Sequence, residues 1–426
     1  MNKAIRVKLF VMMFLEFFIW GAWLPLIFGY LPALGFTDTQ QSLILNTFPV
    51  AAIVAMFFSN QFADRNFAAE RFLAFSHLIG GLSMLALGWV NSFWPFFLLM
   101  AVHCLFYVPT ISITNSIAFA AMRDAQQEFG IVRMGGTIGW IAVSWPFYFL
   151  FKEVSPENVV ASTTWTYIVA GLGSLALAAF SLTLPHTPPN KQADGGESLA
   201  WLKSTRLLTL PFVLVLWIVT FIDAAVHQSF FSWTGRFLED AVKIQREWIM
   251  PVMSISQVAE IATMMVLGFF LKRFGWRLTM TIGILGHAIR FGVFAFFPEH
   301  TWLIVSINVL HGVCYAFFFA AVYIFVDEYF PKDVRSSAQG LFNVMVLGLG
   351  PFVANFICPP LYSMFVDPTT KVVDFRSLFL IPAGAALFAA FLLFALFHPP
   401  RKETVTEGVS NADNSERLAT VGEQPA

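Results

Sequence analysis

The chain has 426 residues, of which 58% are hydrophobic and only 12% are charged, and its formal net charge is −1. Soluble domains are about half apolar and about one quarter charged, so this chain has too little charge to cover a water-facing surface. The charge balance also argues against a nucleic-acid partner, which requires clustered Lys and Arg. The composition therefore predicts a membrane protein whose solvent is the lipid bilayer.

Apolar stretches of about 20 residues, long enough to cross a hydrocarbon core of about 30 Å as helices, follow one another along the chain. The first begins after three basic residues, as a signal peptide does, but it is too long for one and no small-residue cleavage site closes it. We number the predicted spans 1 to 12 in chain order. They cover approximately residues 8–31, 41–61, 72–91, 95–119, 131–151, 163–184, 207–230, 247–271, 278–297, 301–325, 338–363 and 377–397.

The longest polar connection, residues 185–206, separates two predicted halves of six spans each, residues 1–184 and 207–397. Its prolines and glycines disfavour a helix. Most Lys and Arg fall in the loops on one side, which predicts that both termini are cytoplasmic. Residues 398–426 are polar without apolar periodicity, so a disordered cytoplasmic tail is expected.

Motifs of enzymes and metal sites are missing from the sequence. We find no Gly-rich phosphate loop, no HExxH, no paired Cys motif and no GxSxG. The three cysteines are far apart in apolar segments, which favours packing over a disulfide framework. The sequence therefore predicts neither an enzyme nor a bound cofactor or metal.

The most informative stretch lies in span 5. In a helix, Arg133, Thr137 and Trp140 occupy positions i, i+4 and i+7 and share one face, as the wall of a binding site does. The alternative is that Arg133 is an interfacial arginine whose charge reaches the membrane surface. Three glycines in this stretch let a neighbouring backbone come close: Gly135, Gly136 and Gly139.

Span 8 places Gln257 and Glu260 on one face. Ionisable groups within membrane spans are costly and are functional candidates. Glu260 can carry a proton if it lines an aqueous cavity, or it can be paired structurally with Arg133 or Arg290. Both interpretations can hold, since a carboxylate that substrate releases from an arginine is itself a coupling device.

Span 7 offers Asp223, His227 and Gln228. The first two are at i and i+4, and a structural pair at the membrane edge is favoured over a role in transport. Gln228 is isolated among aromatic neighbours, and such an amide suits a heterocycle that needs edge hydrogen bonds and face stacking. In span 1, Glu16 must face either the cavity or a partner helix. The histidines within the spans are expected to hydrogen-bond between helices: His77, His103, His287 and His311.

Several segments between about residues 7 and 397 resemble the nucleoside:proton symporters of the major facilitator superfamily. The likeness is greatest to members described as nucleoside transporters. The segments are Phe18–Trp23, Tyr107–Phe119, Arg133–Trp140, Thr183–Pro189, Ser254–Glu260 and Val326–Gly340.

This resemblance implies an all-α major facilitator fold of twelve transmembrane helices in two six-helix halves. It also implies that Arg133 and Thr137 contact the nucleoside, that Trp140 lies near it, and that three further residues have roles in the site: Gln228, Gln257 and Glu260. The chain departs from the family pattern at two positions. Phe231 stands where an asparagine usually follows the glutamine of span 7, and Ala316 replaces an acidic residue of span 10.

We therefore predict a monomeric secondary transporter of the bacterial inner membrane that imports nucleosides with protons by alternating access. The glutamines would bond the base or ribose, Trp140 would stack, and Glu260 would take the proton. Glu16 is the candidate to replace the acid absent at Ala316. One alternative is a transporter or facilitator of a sugar or another polar metabolite, and a second is a sensor that binds without translocating.

Overall fold

The computed structural model describes residues 2–55, 66–122, 125–152, 154, 158–189, 207–330 and 332–399. This part of the chain is helical and contains no strand, only an isolated bridge between Val366 and Val373. Helices lie at the predicted spans. Their bounds are Lys3–Ala33, Asp38–Leu45, Thr47–Val54, Ala69–Leu87, Phe93–Ala121, Ala125–Phe151, Val159–Ser181, Pro211–Asp240, Arg246–Phe296, Thr301–Ile307, Val309–Cys314, Ala321–Tyr329, Lys332–Asn343, Gly350–Met364 and Phe375–Leu396, with π-helical turns at Tyr315–Ala320 and Val344–Leu349.

Nine helices within the described ranges are long and apolar enough to cross a membrane. One of them, Arg246–Phe296, contains predicted spans 8 and 9, which meet at Gly275, where a φ of 73° interrupts the helix. Predicted span 2 is divided at Asn46, and its part beyond residue 55 lies outside the described residues. The all-α, multi-pass class is therefore confirmed, while the number of twelve crossings stays a prediction.

Span 7 extends to Asp240, although the sequence pattern predicted its end near residue 230. The additional turns bury Trp233, Phe237 and Leu238. Phe237 packs at 5.0 Å between ring centroids against Phe294 of span 9. Aromatic packing thus stabilises the helix beyond Asp223 and His227, the polar residues that lower the hydropathy of this span.

Packing within each half joins spans that are adjacent in the chain and spans that are far apart in it. In the first half, span 1 packs against spans 5 and 6, and span 3 against spans 4 and 6. In the second half, span 7 packs against spans 11 and 12, and span 10 packs against the long helix of spans 8 and 9. The halves meet where span 5 contacts that long helix, span 2 contacts span 11, and span 1 contacts span 7. The cysteines are free and buried, as predicted: Cys104, Cys314 and Cys358.

Spans 1 and 5 approach each other closely along the glycines of span 5. A Cβ added to Gly135 would lie 2.5 Å from the carbonyl oxygen of Phe10, and one added to Gly139 would overlap the carbonyl of Phe14. Gly136 faces the ring of Phe17. The prediction that these glycines admit a neighbouring backbone is confirmed at Gly135 and Gly139, whereas Gly136 makes room for side chains.

Polar contacts join the two halves at one end of the bundle. Arg236 of span 7 donates through Nη2 to the carbonyl oxygen of Phe28 in span 1, at 2.5 Å. Ser363 donates to Asp38 at 2.9 Å, which links the end of span 11 to the start of span 2. The predicted outer loops lie at this end.

The first residues of the predicted connection between the halves bind back onto span 3. The amide of Thr187 donates to Glu70 at 3.0 Å, and His186 Nδ1 lies 2.7 Å from the same carboxylate. Residues 190–206 of the connection and residues 400–426 of the predicted tail lie outside the described residues.

We expect Gly139→Ala to lower the melting temperature of the purified protein. The new methyl group overlaps backbone atoms of Phe14, which cannot move without displacing span 1, and such overpacking costs about 1–3 kcal/mol. Gly268→Ala in span 8 is the matched control, because no atom lies within 4 Å of its added Cβ. Equal melting temperatures of the two variants, measured in the same detergent, would contradict the close contact of spans 1 and 5.

Candidate substrate-binding site

Four aromatic rings from both halves form a continuous wall where the halves meet. Trp140 of span 5 is edge-on to Trp20 of span 1 at 5.5 Å and to Phe231 of span 7 at 6.4 Å. Trp20 in turn stacks on Phe48 of span 2 at 4.8 Å. We call Trp20, Phe48, Trp140 and Phe231 the aromatic wall. It presents both ring faces and ring edges, which suits a flat ligand.

Arg133 is half-buried and lies about two helical turns before Trp140. Its guanidinium sits over the ring of Phe17 in span 1, with the central carbon 4.1 Å from the ring centroid. Its charge also acts on Glu260, in the other half of the bundle. The contact with Phe17 directs Arg133 towards span 1, which is compatible with the binding interpretation. Thr137, also half-buried, lies between Arg133 and Trp140 in span 5.

Span 8 brings Gln257 and Glu260 to the same region. Gln257 is buried, and its Oε1 has no hydrogen-bond partner among the described residues. Glu260 is half-buried and interacts electrostatically with Arg133 and with Tyr315 of span 10. The backbone of Glu260 is held against Gly312 of span 10, where any Cβ would overlap it. The carboxylate is therefore carried by a closely packed pair of helices.

Gln228 belongs to a hydrogen-bonded bridge between the halves. Its Nε2 donates to Asn355 Oδ1 in span 11 at 2.9 Å, and Asn355 Nδ2 donates to the carbonyl oxygen of Leu45 at 3.0 Å. Leu45 ends the first helix of span 2, so its carbonyl lies at the break in that span. The side chain of Gln228 is thus oriented by Asn355 and keeps its own oxygen for another donor.

Glu16 lies apart from this group, inside the first half. Its carboxylate is fully buried and accepts from Thr110 at 2.8 Å, and it lies 2.9 Å from His77 Nε2. Tyr107 donates to the backbone oxygen of Glu16 at 2.6 Å, and His77 Nδ1 lies 2.9 Å from Ser174 Oγ. The carboxylate therefore faces partner helices, the second of the two orientations the sequence allowed.

The predicted pair of Asp223 and His227 does not form. Asp223 faces His287 of span 9, with 3.8 Å between Oδ2 and Nε2, and it is fully buried rather than at a membrane edge. His227 turns instead towards His311 of span 10, and the two rings stack at 4.5 Å. Tertiary packing between spans 7, 9 and 10 overrides the local i, i+4 spacing.

The predicted histidine contacts between helices form in the first half. His103 Nδ1 lies 3.0 Å from the carbonyl oxygen of Gly80, and His77 joins spans 1, 3 and 6. In the second half, His311 Nδ1 has no partner within the described ranges.

Residues that the sequence did not single out complete the site. Trp20 and Phe48 form half of the aromatic wall, and Asn355 orients Gln228. Asn46, at the break in span 2, is buried with both amide atoms unpartnered in the described part of the chain. The available signal for Trp20 was its place one turn after Glu16, whereas Asn355 carries no local signal. Together the rings, free amides and opposite charges can bind a flat, polar molecule.

Solved structures share this architecture. The nucleoside transporter NupG superposes with a TM-score of 0.80 at 26% identity, over 93% of this chain and 99% of that one. A D-xylose-proton symporter superposes with a TM-score of 0.70 at 12% identity, over 94% and 99%. The fold defined by the spans and their packing is that of a secondary transporter of the major facilitator superfamily.

Sequence comparison makes the assignment more specific. The family described as nucleoside H+ symporter matches residues 1–402. YegT of Escherichia coli (strain K12) is 33% identical over 80% of this chain and 81% of its own length. The xanthosine permease of the same organism is 30% identical over 94% of this chain and 98% of its own. The chain belongs to the nucleoside:proton symporter family.

We expect Asn355→Leu to lower the melting temperature measurably. The substitution leaves the amide of Gln228 and the carbonyl of Leu45 without partners, at a cost of about 1–3 kcal/mol for each buried group. Ser363→Ala removes an exposed hydrogen bond between the same two spans and should change stability by less than about 0.5 kcal/mol. If the two variants have the same melting temperature in a thermal scan, the hydrogen bonds of Asn355 do not stabilise the contact between the halves.

Proposed function

We propose that this chain imports nucleosides together with protons by alternating access, with the substrate bound where the aromatic wall meets Arg133, Gln257 and Glu260. The observation that carries the proposal is the position of Arg133 and Glu260. They are two half-buried, opposite charges from different halves that interact electrostatically, and Arg133 lies over the ring of Phe17, which contacts Trp20 of the aromatic wall. Membership in the nucleoside:proton symporter family supports both the substrate class and the coupling ion.

A nucleoside fits the chemistry of these residues. Its base has two flat faces for Trp140 and a polar edge for the amides of Gln228 and Gln257. Base stacking on an aromatic side chain contributes about 1–3 kcal/mol without demanding one particular base. The free Oε1 of Gln257 accepts from a base amino group or a ribose hydroxyl.

Proton coupling follows from the same charges. Arg133 and Glu260 form no ion pair among the described residues, but while Glu260 is ionised the two charges attract each other across the site and favour the contact of spans 5 and 8. A proton on Glu260 removes that attraction and leaves the guanidinium available to substrate oxygens. Proton and substrate together then favour a different arrangement of the halves, which is the differential affinity that alternating access needs.

Glu16 is the second candidate for proton coupling. Its carboxylate is satisfied by Thr110 and His77, so protonation must break or rearrange those bonds. The described residues form no hydrogen bond with the carboxylate of Glu260, so Glu260 is the first group to be protonated in this proposal.

We further propose that the protein lies in the bacterial inner membrane with both termini in the cytoplasm and acts as a monomer. With this orientation, the contacts of Arg236 with Phe28 and of Ser363 with Asp38 close the outer face. The arrangement described here is then one in which the outer entrance is shut.

The decisive test is uptake of radiolabelled uridine and adenosine by cells expressing the chain, with and without a protonophore. Uptake that the protonophore abolishes supports proton symport, and uptake that survives it indicates facilitated diffusion. If neither nucleoside enters although the protein is folded in the membrane, the proposal is wrong. Competition by unlabelled sugars then tests the other substrate class, and saturable binding without uptake identifies a sensor.

Glu260→Gln should abolish nucleoside accumulation driven by a proton gradient. The amide keeps the shape of the side chain but takes no proton, so uptake can only equilibrate the two sides. Accumulation in membrane vesicles with an imposed pH gradient measures this loss. Glu299→Gln is the matched control, because Glu299 lies exposed in the loop before span 10, beside His300. Full accumulation by the Glu260 variant would exclude this carboxylate as the coupling group.

Trp140→Ala should weaken nucleoside binding about 10-fold or more, since it removes the stacking surface. Trp140→Phe keeps an aromatic face and should recover most of the affinity. Trp89→Ala, at a side chain that is 73% exposed, serves as the control. Titration calorimetry with the purified protein measures the dissociation constants, and an unchanged value for Trp140→Ala would place the substrate elsewhere.

A further inference from the structure

A second group of ionisable side chains is fully buried within the C-terminal half of the protein, between spans 7 and 9. Arg290 donates through Nη2 to His287 Nδ1 at 3.0 Å, and His287 Nε2 lies 3.8 Å from Asp223 Oδ2. None of the three side chains is exposed. The guanidinium lies over the ring of Phe230, with its central carbon 4.2 Å from the centroid.

The contact with Arg290 determines the protonation of His287. A guanidinium only donates, so Nδ1 of His287 must accept and carries no proton. The neutral ring therefore has its proton on Nε2, directed towards Asp223. In this arrangement His287 cannot become an imidazolium without breaking its bond to Arg290. Asp223 is the group of the three that can gain a proton.

The carboxylate of Asp223 is poorly satisfied, unlike that of Glu16. Both of its oxygens lack a hydrogen-bond partner within the described residues, as do Nε and Nη1 of Arg290. A buried charge pair contributes little to stability unless further hydrogen bonds complete it, and an unsatisfied one is costly. The carboxylate of Glu16, by contrast, is bonded by Thr110 and His77.

Two histidine rings connect this group to the site between the halves. His227 contacts His287 at 5.5 Å and stacks on His311 at 4.5 Å between ring centroids. His311 precedes Gly312, which lies against the backbone of Glu260. His227 is half-buried and also contacts Phe231 of the aromatic wall at 5.6 Å. Packed histidine rings and the backbone of span 10 therefore connect the group around Asp223 to the site between the halves.

The remaining titratable neighbours come from spans 10 and 11. Cys314 of span 10 interacts electrostatically with Asp223 and Arg290. Cys358 of span 11 instead faces Ser229, which lies nearly two helical turns after Asp223 in span 7. Within the described ranges no group of three or more metal-ligand side chains is arranged to hold a metal ion. The three histidines are therefore not explained as a metal site.

We propose that Asp223 is a further protonation site of the transporter, in addition to Glu260. Arg290 supplies its fixed countercharge, and the neutral ring of His287 directs its Nε2 proton towards the carboxylate. This inference rests on the proposed proton-coupled transport.

The step leaves all protons accounted for. One proton taken up from water forms an O–H bond on Asp223, and it returns to water when that bond breaks. The carboxylate becomes neutral while Arg290 keeps its charge. The loss of attraction across His287 weakens the connection between spans 7 and 9, and the reverse step restores it.

The test compares Asp223→Asn with the unaltered chain in proteoliposomes. We expect complete loss of accumulation driven by a pH gradient and loss of nucleoside-induced proton uptake, measured with an enclosed pH-sensitive dye. Exchange of external labelled nucleoside for internal nucleoside should persist, because it needs no net proton transfer. Asp240→Asn, at the exposed end of the same span, is the control and should behave as the unaltered chain.

A second variant separates proton transfer from folding. Asp223→Asn combined with Arg290→Gln removes the uncompensated charge, so it should restore folded yield if the single variant is unstable, yet it should still not accumulate substrate.

In addition, infrared difference spectra of the folded Glu260→Gln variant should retain a titrating carboxylic-acid band that disappears when Asp223→Asn is added.

The outcomes distinguish the two proposals. If the unaltered chain shows no proton-driven uptake, the proposed function fails. If it does, but Asp223→Asn or the double variant accumulates nucleoside as well as Asp240→Asn does, the assignment of Asp223 is overturned. Absence of the infrared band from the Glu260→Gln protein overturns it as well.

Discussion

Hydrocarbon cannot solvate a charge or an unpaired backbone group, and this constraint governs the arrangement of the whole chain. Helices satisfy the backbone, and the few ionisable side chains of the spans are turned towards one another. In the first half this produces a completed network around Glu16, joined to His77, Thr110 and Tyr107. In the second half the same constraint gathers Asp223, His287 and Arg290 but leaves several of their atoms without partners.

The difference between the halves bears on how the protein works. A satisfied network holds its helices in one arrangement, whereas an incomplete one can gain or lose a proton and change its contacts. Arg133 of the first half interacts electrostatically with Glu260 of the second, so the charge on Glu260 affects the contact between the halves. Gly312 keeps Glu260 tied to span 10, which lets a local change in charge act on a pair of helices.

Sequence periodicity predicted those features of the candidate site that lie on a single helix. The face formed by Arg133, Thr137 and Trp140, and the close approach at Gly135 and Gly139, follow from spacing and residue size alone. Hydropathy predicted the positions of the spans, apart from the far end of span 7, where buried aromatic residues extend the helix.

Contacts between distant spans could not be predicted in this way. Gln228 and Asn355 are far apart in the chain, and nothing local indicates that their amides meet. For Asp223 the local rule gave the wrong partner, because an i, i+4 neighbour competes with any side chain that packing brings from another helix. His287, from span 9, occupies that place, and His227 turns to span 10. Helix facing and packing order, which decide such pairs, are properties of the assembled bundle.

The π-helical turn at Tyr315–Ala320 has a consequence for comparing this chain with its relatives. Such a turn accommodates an extra residue, and each residue added to a helix rotates all that follow by about 100°. Ala316 lies within this turn and is completely buried. In a relative whose helix is regular here, the residue in the same alignment column points in a different direction. Residues of span 10 in two relatives are therefore equivalent when they point in the same direction around the helix. An alignment without a gap at the π-helical turn pairs residues that do not occupy the same space.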